Sequence, residues 1–208
     1  MNTVCALLHK LIKIVQLFLR KFGDSLTMSI VDRRIFKSLE AIKKAFIELM
    51  SEKNFDQITI QEISDRANVG RRTFYHHYLD KYDLLDKLTE KHFNELRELC
   101  ESAFDLDFVE ATLIWTEYFE NNYSFFSLML TSKGAPYFRN RFLDFLIEEL
   151  KKEADVTRGK NLGLNEDVVV LFVASAQVGV VEWWFTNERP IPHQVLAKQL
   201  GILLERNL

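Results

Sequence analysis

The sequence predicts an all-α protein, and three observations carry that prediction. Apolar residues recur at three- and four-residue steps along most of the 208-residue chain. Three prolines and seven glycines are too few for the tight turns of an all-β fold. A 48% apolar share is enough to fill a real core.

The first segment needs its own decision. "CALLHKLIKIVQLFLRKF" has an apolar face at Leu7, Leu8, Leu11, Ile14, Val15 and Phe18, but Lys13 interrupts it and no small-residue cleavage site follows. It is too short and too charged for a membrane span or an ordinary signal peptide. Two readings stay open: a basic amphipathic helix lying on a membrane or on the domain, or an extension ahead of a natural start at Met28. The second is preferred, because everything from Met28 onward reads as a complete protein. Residues 1–28 are therefore expected to be an N-terminal extension.

After a basic lead-in, Ile35 to Lys53 is expected to form a helix with an apolar stripe at Phe36, Leu39, Ile42, Phe46, Leu49 and Met50. Thr59 with Glu62 three positions on makes a capping box, so a short helix starts near Ile60. Asn68 to Gly70, "NVG", reads as a tight turn, since Asn and Gly both tolerate positive φ. A third helix follows from Arg71 to about Tyr78, and after "LDK" a longer one from about Lys81 to Phe104. Two short amphipathic helices joined by a turn containing Gly constitute a helix-turn-helix, with the first helix packed across them.

Beyond Asp107 the chain becomes aromatic, with a corner at Asn121 and Asn122 and punctuation around Gly134 and Pro136. "YFRNRFLDFLIEELKKEA" gives another helix, and a polar loop separates it from "VVVLFVASAQVGVVEWWF". That stretch is apolar nearly all round, which marks a buried or interface helix. A last helix runs from about His193 to Glu205.

Charge narrows the function. The formal net charge is -3 and the pI near 6.0, so bulk positive charge does not coat nucleic acid here, and any DNA site must be local. Ser29 to Cys100 carries thirteen basic and thirteen acidic residues, whereas Glu101 to Leu208 carries ten and sixteen, so the two halves are expected to meet different partners. Cys5 and Cys100 are too few for a disulfide scaffold and fit a reducing cytosol, and the eight-residue separation of His92 and Cys100 makes no metal pair. No Ser/His/Asp, paired-carboxylate or metal-ligand spacing stands out, so neither an enzyme nor a cofactor is expected.

The local positive site is the third helix. On a 100-degree wheel Phe74 and Tyr78 point inward with Val69 covering their base, while Arg72 and His76 point away, flanked by Thr73 and Tyr75. Arg forks onto guanine O6 and N7, Thr meets a thymine methyl or a phosphate, and Tyr and His bond phosphate oxygens. No acidic residue occurs between Asp65 and Asp80, so this helix presents a positive face to DNA.

These residues carry a resemblance. "ITIQEISDRANVGRRTFYHHYLDKYDLL" resembles the DNA-binding signature of the TetR/AcrR family of transcriptional regulators, with Thr59, Ile63, Ala67, Val69, Thr73, Tyr75, His77, Lys81 and Leu84 on the pattern. The resemblance implies that Arg71, Arg72, Thr73, Tyr75 and His77 face the major groove or its phosphates, that Thr59 caps a helix on the DNA backbone, and that Lys81 grips phosphate. Three departures stand out. Ser64 replaces the usual alanine, a neutral exchange; Gly70 replaces Ser or Thr, removing a phosphate-binding hydroxyl; Arg72 replaces a frequent Gly, adding a base reader. The wheel puts His77 nearer the buried side than His76, so which histidine meets DNA stays open.

The C-terminal half is similar to the ligand-and-dimer domain of a Firmicutes group of these regulators. That similarity implies a dimer through the last two helices, with Val173, Ala174, Gln177, Val178, Val181, Leu196, Leu200 and Leu203 as interface candidates and small residues at Ala174, Ala176 and Gly179 allowing close approach. It also implies an effector pocket between the middle helices, whose candidates are Trp115, Phe119, Phe126, Met129, Phe142 and Trp183, with Glu182 as a counter-charge for an apolar, planar or cationic ligand.

The expectation is therefore a cytoplasmic, homodimeric regulator with a helix-turn-helix DNA-binding domain at 29–82 and a helical ligand-binding and dimerisation domain at 83–208. Repression, relieved by an unknown small-molecule effector, is the family default, and the partner is double-stranded operator DNA rather than a membrane. The alternative is a regulator-like coactivator that acts through a second protein without binding an operator itself.

Overall fold

The computed structural model of the chain describes residues 30–103, 105–131, 135–153 and 159–208, and the expected N-terminal extension lies outside them. Among the described residues there are nine α-helices, two 3-10 turns and no strand. The helices are α1 (Ile30–Glu52), α2 (Ile60–Arg66), α3 (Arg71–His77), α4 (Lys81–Ala103), α5 (Phe108–Asn121), α6 (Tyr123–Thr131), α7 (Ala135–Glu153), α8 (Glu166–Thr186) and α9 (His193–Asn207).

Local chemistry accounts for most of the starts. Thr59, Asp107 and Asn165 accept the backbone N–H groups of Glu62, Glu110 and Val168, and the Asp80 carboxylate accepts those of Tyr82 and Asp83. The first helix begins five residues ahead of the expected Ile35, because Ile30 to Arg34 contain no Gly or Pro to stop it and end in two arginines, which are good helix formers. Phe36 drops out of its apolar stripe, 52% exposed, while Ile42, Ala45, Phe46 and Leu49 are buried.

One long helix and two short ones fold around one another. α1 packs across α2 and α3, and a 3-10 turn at Phe55–Gln57 carries the chain from α1 to α2. From there α4 runs into the second half of the chain, where α5 to α9 surround a core built of aromatic rings. Phe93 stacks on Phe145 at 5.1 Å, Phe119 meets Phe126 edge-on at 4.8 Å, and Phe138, Phe142 and Phe185 complete the cluster. α9 lies along α5, and α8 lies against α6 and α7.

One polar cluster ties α4 to this core. The His92 Nδ1 and the Tyr118 hydroxyl are 2.6 Å apart, Tyr118 donates to Glu95 Oε2 at 2.6 Å, and the His92 ring stacks on Phe125 at 4.0 Å. With the Tyr118 hydroxyl proton directed at Glu95, its oxygen is left to accept from the imidazole Nδ1–H.

α8 alone among the described helices is long and apolar enough to cross a membrane, and half of that apolar window is buried inside the protein. Val170, Val173, Ala174, Val178, Val181, Trp184 and Phe185 form its core side.

Candidate nucleic-acid interface and effector cavity

The frame of the interface is a set of hydrogen bonds around α2 and α3. Glu62 accepts from the Thr59 backbone N–H at 2.9 Å and returns its own N–H to the Thr59 hydroxyl at 3.2 Å, while Lys53 donates to its other oxygen at 2.5 Å. The Lys53 contact, followed by donation from the Thr59 backbone N–H and from its hydroxyl at 2.9 Å, holds the Glu62 carboxyl down at about 2. The corner to α3 closes through Val69 N–H to Ser64 O at 3.0 Å. Asn68 takes the positive φ of the corner, 52°, whereas Gly70 has an ordinary extended backbone, φ -70°, at the N-cap of α3. The turn thus depends on the asparagine and not on the glycine. A Cβ at Gly70 meets nothing within 4 Å, so a serine fits there.

α3 is fastened by Phe74 and Tyr78, 0% and 5% exposed, with rings 5.5 Å apart. This leaves Arg71, Arg72, Tyr75 and His76 exposed and Thr73 and His77 half-buried. The Arg71 guanidinium lies 5.8 Å from the Tyr75 ring centre. Burial first, then the charges of His76 and Lys87, pushes the His77 imidazole below its ordinary value. Thr59 is exposed beside the start of α2.

Lys81 requires a correction. Its ammonium donates to the backbone carbonyls of Phe55 at 2.9 Å, Asp56 at 2.8 Å and Ile58 at 3.0 Å, and sits 4.8 Å from the Phe55 ring centre. All three of its donors are engaged, leaving none for phosphate. Lys81 fastens the 3-10 turn to α4 and so positions the start of α2. Lys87 plays a similar part that the sequence did not suggest: it bonds the His77 carbonyl at 3.0 Å and Asp83 at 2.9 Å, clamping the end of α3 to α4. The i,i+4 spacing of Asp83 and Lys87 is the signal that points to it.

The cavity of the second half is also displaced from expectation. About 110 Å³ is lined by residues of α4, α5, α7, α8 and α9, among them Trp115, Phe119 and Phe142. Phe126 is part of the solid aromatic core, and Met129 faces a separate open cleft between the end of α1 and α4, α6 and α7. Trp183 is 45% exposed, and Glu182 accepts from Arg139 at 3.1 Å, so neither serves the cavity. The polar groups on its walls are instead Thr112, Thr116, Glu149 and Gln177.

Seven of the eight interface candidates are likewise buried within the protomer: Val173, Ala174, Gln177, Val178, Val181, Leu196 and Leu200 all face inward, and only Leu203 is exposed, at 50%. The wheel of an all-apolar helix gives no contrast between its sides, and its small residues do not mark one side either: Ala174 is buried, Gly179 half-buried and Ala176 exposed. The outward stripe of α8 comprises Val168, Leu171, Phe172, Ala176 and Trp183, and that of α9 Val195 and Leu203.

Comparison with known proteins follows this geometry. The family model for bacterial regulatory proteins of the tetR family matches residues 42–88, and that for a transcriptional regulator C-terminal region matches residues 107–206. A TetR transcriptional regulator from Streptococcus agalactiae 2603V is 30% identical, with 84% of this chain and 97% of that one covered at a TM-score of 0.64. The chain belongs to the TetR family of transcriptional regulators. The segment matched by the tetR-family model contains α2 and α3, the helix-turn-helix of this TetR-family chain.

Two curated relatives are shorter matches. An uncharacterized HTH-type regulator of Bacillus subtilis (strain 168), YxbF, is 37% identical over 67 residues, 32% of this chain and 18% of that protein. The dhaKLM operon transcriptional activator DhaS of Lactococcus lactis subsp. lactis (strain IL1403) is 26% identical over 119 residues, 55% of this chain and 63% of that protein. This TetR-family chain therefore spans less than two thirds of either curated relative.

Proposed function

We propose that this TetR-family regulator acts as a homodimer in the cytoplasm, each copy laying α3 in the major groove of one half of a roughly palindromic operator. The observation that carries the reading is the outward set on α3: Arg71, Arg72, Tyr75 and His76 are exposed on a helix fastened from beneath by Phe74 and Tyr78. Arg72 is the principal base reader; Arg71, Tyr75, His76, Thr73 and Thr59 meet phosphates or base edges. His77, half-buried, supports the helix end.

The reading divides the chain into a DNA-reading head, residues 29–82, and a body for ligand and dimer contacts, residues 83–208, joined by the unbroken α4. A second copy covers the apolar stripe at Leu171, Phe172, Trp183, Val195 and Leu203, which are 40% to 62% exposed in the single chain. An effector in the cavity beneath α8 changes the relative placement of the two heads and relieves repression.

Nuclease footprinting on the DNA upstream of the protein's own gene tests this. Protection is expected on two half-sites with centres about one helical turn apart, or a multiple of it. Lack of protection at low salt favours the second reading, a coactivator working through a partner.

A further inference from the structure

We propose that the cavity takes a small neutral ligand, a single ring carrying one group that both donates and accepts hydrogen bonds, and that the Gln177 side-chain amide reads that group. The inference rests on the ligand-relieved reading above and names the ligand's chemistry.

Size comes first. An apolar cavity of about 150 Å³ holds benzene. The about 110 Å³ here, walled by Trp115, Phe119, Phe142, Leu146 and Val181, suits one ring and not a long acyl chain or a fused polycycle.

Polarity decides the rest. Thr112 donates to Phe108 O at 2.6 Å and Thr116 to Leu113 O at 3.1 Å, so both hydroxyl protons are used within α5. The Glu149 carboxylate, 9% exposed, takes Lys152 at 2.7 Å and lies 3.7 Å from Arg97 Nε, so its charge is already answered. An ionic ligand therefore meets no unmatched counter-charge, and burying its charge here is costly. Gln177 differs. Its side chain lines the cavity, is 8% exposed, and has no hydrogen-bond partner among the described residues. A primary amide presents a donor and an acceptor side by side, and a neutral carboxamide or lactam on a ring pairs with both.

Calorimetric titration of the full-length protein without DNA is the test, with benzamide, toluene, benzamidinium, benzoate and dodecanoate as probes. Benzamide is expected to bind at least about tenfold more tightly than benzamidinium or benzoate, and dodecanoate not to compete with it. Gln177→Leu is expected to weaken benzamide by about tenfold while toluene binding persists, which reports a cavity still formed. Gln177→Met serves if the leucine variant does not fold. Equal or tighter binding of either ion, displacement by dodecanoate, or benzamide binding indifferent to both substitutions overturns the proposal. Because no DNA is present, operator binding without benzamide binding overturns this inference alone, and benzamide binding without operator binding overturns the regulatory reading alone.

Discussion

Ser64 sits where the family pattern has alanine, and its hydroxyl is 1% exposed with no hydrogen-bond partner. Ser64→Ala is therefore expected to raise the unfolding free energy by about 1 kcal/mol in a denaturant titration, since an unpaired buried hydroxyl is removed; a loss of stability would contradict the assignment. The expected gain would make the exchange other than the neutral one the sequence suggests. His92 gives a pH dependence. Burial, the largest influence, pushes its imidazole down from 6.5 to about 4, with Glu95 opposing and Lys91 and Lys43 reinforcing. The unfolded chain binds the proton that the folded one refuses, so stability falls as pH drops from the unfolded value toward the folded one. The difference amounts to on the order of 3 kcal/mol. His92→Phe, which keeps a ring against Phe125, is expected to flatten stability across that window; an unchanged slope would locate the acid lability elsewhere. Residue roles were legible where the partners lie within one helix: the Thr59–Glu62 box and the inward Phe74 and Tyr78 follow from spacing. Lys81 was not, because the carbonyls it holds lie 23 to 26 positions back in the chain. Spacing carries no information at that range.

Helix positions followed periodicity and caps, but helix faces did not always. α3 has a strong polar contrast, so its wheel separated Phe74 and Tyr78 from Arg72 and His76. α8 is apolar on both sides, one turned to the core and one outward, and without contrast its spacing does not tell the two apart. A similar silence surrounds Gly201, which gives no signal in the sequence. There α9 approaches α5 so closely that a Cβ would lie 2.6 Å from Val109 Cα and 2.8 Å from Phe108 O. Both are backbone atoms that cannot swing aside. Gly201→Ala is expected to lower stability by about 1 to 3 kcal/mol through overpacking, read as a drop in the thermal midpoint. A midpoint equal to that of the parent would show that the two helices separate freely.

For the molecule as a whole, an all-α chain with a basic, outward face on α3 was legible from pattern and charge, while the volume of the cavity and the outward side of α8 depend on how five helices come together. The proposed dimer makes a direct prediction: Phe172→Glu, on the exposed stripe, is expected to shift the protein to monomer in sedimentation and to weaken operator binding, whereas Lys198→Glu on exposed polar surface is expected to leave the assembly unchanged. The central claim is that α3 reads DNA through its outward arginines. Its most direct measurement is a salt titration of binding to the gene's own upstream DNA, with the parent protein, Arg72→Ala and Lys81→Ala compared against scrambled DNA. The account predicts sequence-specific binding with a steep log-log salt slope, reduced by about one and with relaxed specificity for Arg72→Ala, while Lys81→Ala lowers thermal stability more than it lowers the slope. Equal affinity for scrambled DNA, or a slope and specificity indifferent to Arg72, would contradict it.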